Sequence, residues 1–308
     1  MEKIAAILTV YNRREKTLAC LRHLFEALED YNQRVQEQVE LSVFLTDDGC
    51  TDGTAEAVVA EFTGKDIHVL QGTGSLFWAG GMRFAWEGAI DSGVKWDYFL
   101  LLNDDTYIYK NVFDELFEAD SYGFEQTGQH GLSSGIACQP GNKDEITYGG
   151  LNFVSKAKGR QELVQPTGIP QRIDMTHANI LLVHRSVVDR IGIFHKGYRH
   201  GSADIDYSMM ASRHGISTFS TPHVCGECEW DHDSNKGEIE RLMKMTLGER
   251  KKYVNSPTHS DFDYLLFVRR NLPLRYPIAL LLRAIRIYCP KLYYRITRFR
   301  GVYQSQES

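Results

Sequence analysis

"WDYFLLLNDDT" occupies residues 96–106. Its apolar run, Tyr98 to Leu102, has the length and composition of a buried strand and stops on two adjacent carboxylates, Asp104 and Asp105. Side by side, two carboxylates repel each other and resist leaving water unless a cation stands beside them. The stretch therefore raises a question about the rest of the chain: which cation does this pair meet?

Upstream the same alternation recurs. "KIAAILTVYN" (3–12) reads as a buried strand and its exit loop, and "REKTLACLRHLFEALEDYNQ" (14–33) as a helix with Leu18, Leu21, Leu24, Phe25 and Leu28 at helical spacing. "VELSVFLTDDG" (39–49) is a second strand ending on Asp47 and Asp48, and "TDGTAEAVVAEFT" (51–63) a helix opening on a cap-like Thr/Asp pair. "DIHVLQG" (66–72) is a third strand and "GGMRFAWEGAIDSG" (80–93) a third helix, so residues 96–106 supply the fourth strand. Strand and helix in strict alternation predict a parallel sheet with crossover helices. In such sheets ligands bind beyond the carboxyl ends of the strands. "TVYNRR", "TDDGCTDGT" and "LLNDDT" all fall at those ends. Beyond about Gly123 the strands shorten, and no clear linker separates this part from the first.

The composition bounds the function. The 308 residues suffice for one large domain or two modest ones, and the formal net charge of −5 argues against a general nucleic-acid binder. Six scattered cysteines form no disulfide framework, which predicts a reducing, cytoplasmic setting. The N-terminus lacks the pattern of a signal peptide, and no stretch reaches the roughly 20 apolar residues of a membrane span.

In order and spacing, "TVYNR", "TDDGCTDGT", "NDD" and the later "ADID" resemble the family 2 glycosyltransferases, inverting enzymes of the GT-A fold; the resemblance covers roughly residues 3–235. "WAGGMRFAW" and "ITYGG" resemble in particular the rhamnosyltransferase-like branch. The resemblance implies an α/β GT-A fold, a Rossmann-like nucleotide-binding half with a mostly parallel sheet fused to an acceptor-binding half. The expected division is a glycosyltransferase domain over 1–255, with halves 1–121 and 122–255, and a C-terminal helical extension over 256–308. It implies a nucleotide-diphosphate sugar donor, UDP- or dTDP-linked and with rhamnose as the branch's suggestion, and a glycan or lipid-linked glycan acceptor.

The family pattern makes Asp105 a ligand of Mn²⁺ or Mg²⁺, hard ions that favour oxygen and can neutralise a departing diphosphate, with Asp104 on the ribose or supporting the metal. Asp47 and Asp48 suit acceptance from a pyrimidine N–H or a ribose hydroxyl, Tyr11 offers a face for the base, and Thr9 a polar contact. Arg83 can reach the diphosphate with its planar fork or stand as an exposed helix arginine. Inversion by single displacement needs a base on the acceptor hydroxyl. "GSADIDYSM" aligns Asp204 with the family's catalytic Asp; Ala203 stands where Glu is usual, which shifts interest in acceptor positioning to Asp206. Asn179 falls in the segment that resembles the acceptor pocket.

His232 is the expected late histidine on the metal, with His223 second. "HVCGECEWDH" also sets His223, Cys225, Cys228 and His232 at spacings compatible with zinc. Residues 264–301 are basic and apolar without a single acid. This stretch fits an anionic membrane surface, a helical appendix or a homodimer contact. Two rival functions stay open: a non-catalytic nucleotide-sugar binder of the same fold, favoured by Ala203, and a sugar-nucleotide pyrophosphorylase, disfavoured because "TVYNRREKT" lacks a glycine-rich loop.

Overall fold

The computed structural model describes residues 1–156, 159–230, 235–259 and 261–299. The strands are β1 (Glu2–Val10), β2 (Val39–Asp47), β3 (Ile67–Gln71), β4 (Tyr98–Leu102), β5 (Tyr107–Ile108), β6 (Leu132–Gln139), β7 (Asn142–Tyr148), β8 (Gly150–Ser155), β9 (Arg160–Leu163), β10 (Gln171–Ile173), β11 (Met175–Thr176), β12 (Ile180–His184) and β13 (Thr218–Glu227). The helices are α1 (Arg14–Arg34), α2 (Thr54–Glu61), α3 (Phe77–Asp91), α4 (Val112–Thr127), α5 (Arg185–Ile191), α6 (Ala203–Arg213), α7 (Asn235–Lys244), α8 (Leu247–Val254), α9 (Asp261–Asn271), α10 (Tyr276–Tyr288) and α11 (Pro290–Phe299).

The main sheet runs β10-β13-β6-β12-β4-β1-β2-β3. Its first half in sequence, β3-β2-β1-β4, is parallel throughout, as the alternation of elements predicts. β12 joins β4 antiparallel, β6 joins β12 antiparallel, and β13 returns parallel to β6. β13 consequently points the same way as β4, so their carboxyl ends share one edge, and the amino end of β12 lies at that edge too. A small sheet, β11-β8-β9, stands apart.

Alternation along the strands divides the core into two layers. Ile4, Ala6, Leu8 and Val10 of β1 face a cluster that includes Leu18, Leu21 and Leu24 of α1, Val58 of α2, and Phe113 and Leu116 of α4. α3 packs on β1 and β2, where Trp86 is fully buried and meets Phe99 at 5.7 Å and Phe194 and Tyr207 at 5.5 Å. α3 begins at Phe77, not Gly80 as sequence spacing predicts, because a carboxylate from another loop caps its first turn. α2 is capped by Gly53 at φ 75°, in place of the expected Thr/Asp pair, though Asp52 still accepts the Thr54 N–H at 3.2 Å.

Two compact units emerge: Met1–Lys196 with Asp204–Trp230, and Gly197–Ala203 with the described part of 231–308. α7 and α8 group with the terminal helices: Leu242, Val254 and Ile287 form a shared core. In this second unit Arg286 pairs with both Asp261 and Glu238, and the Asp263 carboxylate accepts the backbone N–H groups of His200 at 2.7 Å and Gly201 at 2.9 Å. Among the described residues no helix is long and apolar enough to cross a membrane.

Candidate active site

Loops leaving the carboxyl ends of β1, β2 and β4 meet because those strands are neighbours in register. Asn12, at φ 51°, sits in the left-handed region, where a non-glycine residue needs support from its surroundings. Its Oδ1 accepts the Thr51 N–H at 2.7 Å, and the Arg14 N–H reaches Asp52 Oδ2 at 3.0 Å, so the first loop is tied to the second. Asp47 Oδ1 closes that second loop by accepting the Cys50 N–H at 2.7 Å.

Asp48 is turned to the loop before α3. Its Oδ1 accepts the Gly74 N–H at 2.8 Å, and its Oδ2 accepts the Leu76 and Phe77 N–H groups at 2.8 and 3.0 Å. A Cβ on Gly72 would stand 2.8 Å from Asp48 Oδ1, which is why this loop needs glycine there. Asp48 is thus the residue that caps α3, and its occupied oxygens make it an organiser of the site's wall. Thr9 faces α3 as well: a Cβ on Gly81 would lie 2.0 Å from Thr9 Oγ1. Tyr11, 59% exposed, stands open at the edge. Arg83 is half-buried, and Nη1 reaches the His195 carbonyl at 3.4 Å; burial lowers the pKa of its guanidinium.

The cation that meets the acid pair in this structure is Arg13. Its Nη1 donates to Asp105 Oδ2 at 2.6 Å and to Asp104 Oδ1 at 3.3 Å, and Thr17 Oγ1 donates to Asp104 Oδ2 at 3.3 Å. Burial pushes Asp104 up to about 6, opposed by Arg13 and reinforced by Asp105. Burial also works against the charge on Arg13, but the two carboxylates outweigh it and the guanidinium pKa is raised. Sequence reading overlooked Arg13, although it stands inside the quoted "TVYNR"; its partners lie 91 and 92 residues away.

β4 ends beside the start of β12, and this pairing brings in the later motifs. The Asn103 N–H donates to the Asn179 carbonyl at 3.2 Å, and Asn103 Oδ1 accepts from Trp78 Nε1 at 2.8 Å. Asn179 Nδ2 donates to Cys228 Sγ at 3.3 Å, and Cys228 Sγ lies 3.9 Å from Asp105 Oδ1. One residue back, the Ala178 N–H donates to Asp204 Oδ2 at 3.0 Å. A continuous chain of contacts therefore joins Asp204 to the acid pair through Ala178, Asn179 and Cys228. Asp204 Oδ1 accepts its neighbour's N–H, from Ile205, at 2.9 Å. Asp206 is 1% exposed, so the expected acceptor contact is corrected: its carboxylate is sealed inside the fold.

Among the described residues the zinc-compatible spacing does not become a cluster. His223 binds Glu115, through the ring at 3.0 Å and the backbone N–H at 2.8 Å. The Cys225 thiol is buried against the Ile136 carbonyl, and burial raises its pKa to about 12. Cys228 belongs to Asn179 and Asp105. His232 lies outside the described residues. Among the described residues no group of three His, Cys, Asp or Glu side chains is placed to hold a metal. The acid pair still suits a hard divalent ion, since Mg²⁺-type sites are commonly built from one or two carboxylates completed by substrate phosphates and water.

No protein-family model matches this chain, and no curated protein does. Among solved structures it is similar to S. aureus TarS, with a TM-score of 0.46 and 14% identity over 88% of this chain and 43% of that one, so it spans under half of that chain's length. TarS 1-349 in complex with UDP-GlcNAc gives a TM-score of 0.48 and 14% identity over 89% of this chain and 73% of that one. TarS 1-349 in complex with UDP gives 0.47 and 14% over 88% and 72%. None of these comparisons supports the rhamnosyltransferase-like branch.

Proposed function

We propose that this chain is a metal-dependent inverting glycosyltransferase of the GT-A type. It moves a sugar from a UDP- or dTDP-linked donor to a hydroxyl of a glycan or lipid-linked glycan, in cell-surface polysaccharide synthesis on the cytoplasmic side of a membrane. The observation that carries this reading is the junction at one sheet edge: Asp104 and Asp105 beyond β4, linked by short contacts through Cys228, Asn179 and Ala178 to Asp204 on α6.

In the proposed reaction the acceptor oxygen attacks the anomeric carbon from the face opposite the diphosphate. The bond from that carbon to the diphosphate oxygen breaks, and the diphosphate leaves with the electron pair. Asp204 receives the acceptor's proton as the new glycosidic bond forms. Its carboxylate is held in place by the Ala178 and Ile205 N–H groups. Asp105, with Asp104 beside it, would hold Mn²⁺ or Mg²⁺, which when bound neutralises charge on the leaving diphosphate. Tyr11, exposed at the edge, would stack on the base, and Arg83 would meet the phosphates.

The test is thermal unfolding with UDP, dTDP, GDP and CDP, each with and without Mn²⁺. Ligands that bind only the native state raise the midpoint by mass action. One nucleotide should stabilise the protein in a metal-dependent way, and Asp105→Asn should remove that dependence. No shift with any nucleotide, or an Asp105→Asn variant with the same Mn²⁺ dependence, would overturn the assignment.

A further inference from the structure

Surface helices normally turn their apolar stripe inward and their charges outward. α10 does the reverse. From Pro273 to Tyr288 every exposed residue is apolar. Leu274 (93% exposed), Ile278, Leu281 and Tyr288 follow one another at helical spacing, with Leu280 beside them. The helix's arginines turn to the interior of their own unit: Arg286 pairs with Asp261 and Glu238, and Arg283 lies 3.6 Å from Asp261. Isolated exposed leucines need no explanation, but a continuous stripe of this kind does.

The surroundings of the stripe are cationic. Lys251 Nζ lies 5.4 Å from the centre of the Tyr288 ring, and Lys252 beside it is exposed. Lys291 and Arg295 are exposed on the first turns of α11. No acid occurs between Tyr264 and Gly301, and the two acids just before, Asp261 and Asp263, are buried in ion-pair and backbone contacts.

This charge pattern selects the occupant. A second copy would bring the same basic segment, with no carboxylate between Tyr264 and Gly301 to answer these lysines and arginines. A layer of anionic headgroups offers the opposite charge, and the acyl boundary beneath takes the leucines. We propose that α10 and the start of α11 lie in the plane of an anionic membrane surface, with the Leu274–Ile278–Leu281–Tyr288 stripe inserted and Lys251, Lys252, Lys291 and Arg295 at the headgroups. This deepens the proposed lipid-linked acceptor, yet its test uses neither donor nor acceptor, so the two can fail separately.

The full chain is floated with vesicles of pure phosphatidylcholine and of phosphatidylcholine containing about one third phosphatidylglycerol. Binding is expected only to the anionic vesicles and should weaken as salt screens it. Ile278→Glu with Leu281→Glu should abolish flotation while circular dichroism and the unfolding midpoint stay unchanged. Lys291→Glu with Arg295→Glu, both at exposed positions, should lower vesicle binding about tenfold or more. Failure to bind anionic vesicles, or binding that ignores the charge reversals, overturns the proposal. So does a concentration-dependent dimer that Leu281→Glu dissolves, which would assign the face to a second copy.

Discussion

Arg13→Met separates the part of the acid pair's behaviour that is the protein's own from the part a bound ion would take over. Methionine keeps the unbranched stem and removes the guanidinium that bridges Asp104 and Asp105. Removing one partner from a fully buried ion pair costs roughly 3–5 kcal/mol. The Arg13 side chain is 38% exposed, so solvent screens part of the interaction and the expected loss is about 1–3 kcal/mol. For a chain of this size that lowers the unfolding midpoint by roughly 2–5 °C. The loss should depend on pH in a definite sense. Burial holds the folded-state pKa of Asp104 at about 6, above its ordinary 3.8, so between those values the native state binds the extra proton. The contribution of this group to stability therefore falls as pH rises through that window. Without Arg13 the attraction opposing burial is gone, and the window extends upward past pH 6. The deficit of Arg13→Met should be larger at pH 7.5 than at pH 5, where Asp104 carries its proton and Asp105 is left as the partner. Mn²⁺ should raise the variant's midpoint at pH 7.5 more than it raises the parent's, because the guanidinium no longer competes for the same oxygens. Thermal unfolding by circular dichroism at both pH values, with and without Mn²⁺, reads all of this. An equal deficit at pH 5 and 7.5 would refute the electrostatic account, and a smaller Mn²⁺ gain in the variant would refute the competition.

Two other substitutions probe the frame and the base. Asp204→Asn should keep the nucleotide-dependent rise in midpoint and lower transfer by about 10²–10⁴, the usual range for a lost general base; turnover near that of the parent would remove Asp204 from the role. Gly81→Ala places a methyl group 2.0 Å from Thr9 Oγ1, so α3 must move off β1, at about 1–3 kcal/mol by urea unfolding. An unchanged urea midpoint would mean that the helix can stand off the strand without loss.

The half of the fold that sequence reading recovered is the half governed by local rules. A run such as Tyr98–Leu102 announces a strand from its own composition, and the leucines of α1 announce a helix from their own spacing, so β1 to β4 and their crossovers follow directly. β12 and β13 were harder, because their value to the site lies in direction: one antiparallel and one parallel strand bring Asn179 and Cys228 to the carboxyl end of β4, and no local pattern encodes that. The same distinction separates the site residues. Asp47, Asp48, Asp104 and Asp105 are identical in kind on the page, two acids at a strand end. In space Asp48 is consumed by three backbone N–H groups of the next loop, whereas Asp104 and Asp105 share a guanidinium that arrives from the loop between β1 and α1. Cys228 had the spacing of a zinc ligand and instead serves as the joint between Asn179 and Asp105.

"ADID" lies on the first turn of α6, where residues two apart point about 200° away from each other. Asp204 and Asp206 cannot both face an acceptor on such a helix. Once Asp204 takes the Ala178 N–H at the sheet edge, Asp206 is carried to the opposite side, where it is wholly buried. A helix that starts at Ala203 thus presents a single carboxylate to the site. The acid the family resemblance leads one to expect at position 203 cannot be replaced from position 206, so in the proposed reaction Asp204 would act without a second carboxylate from this turn.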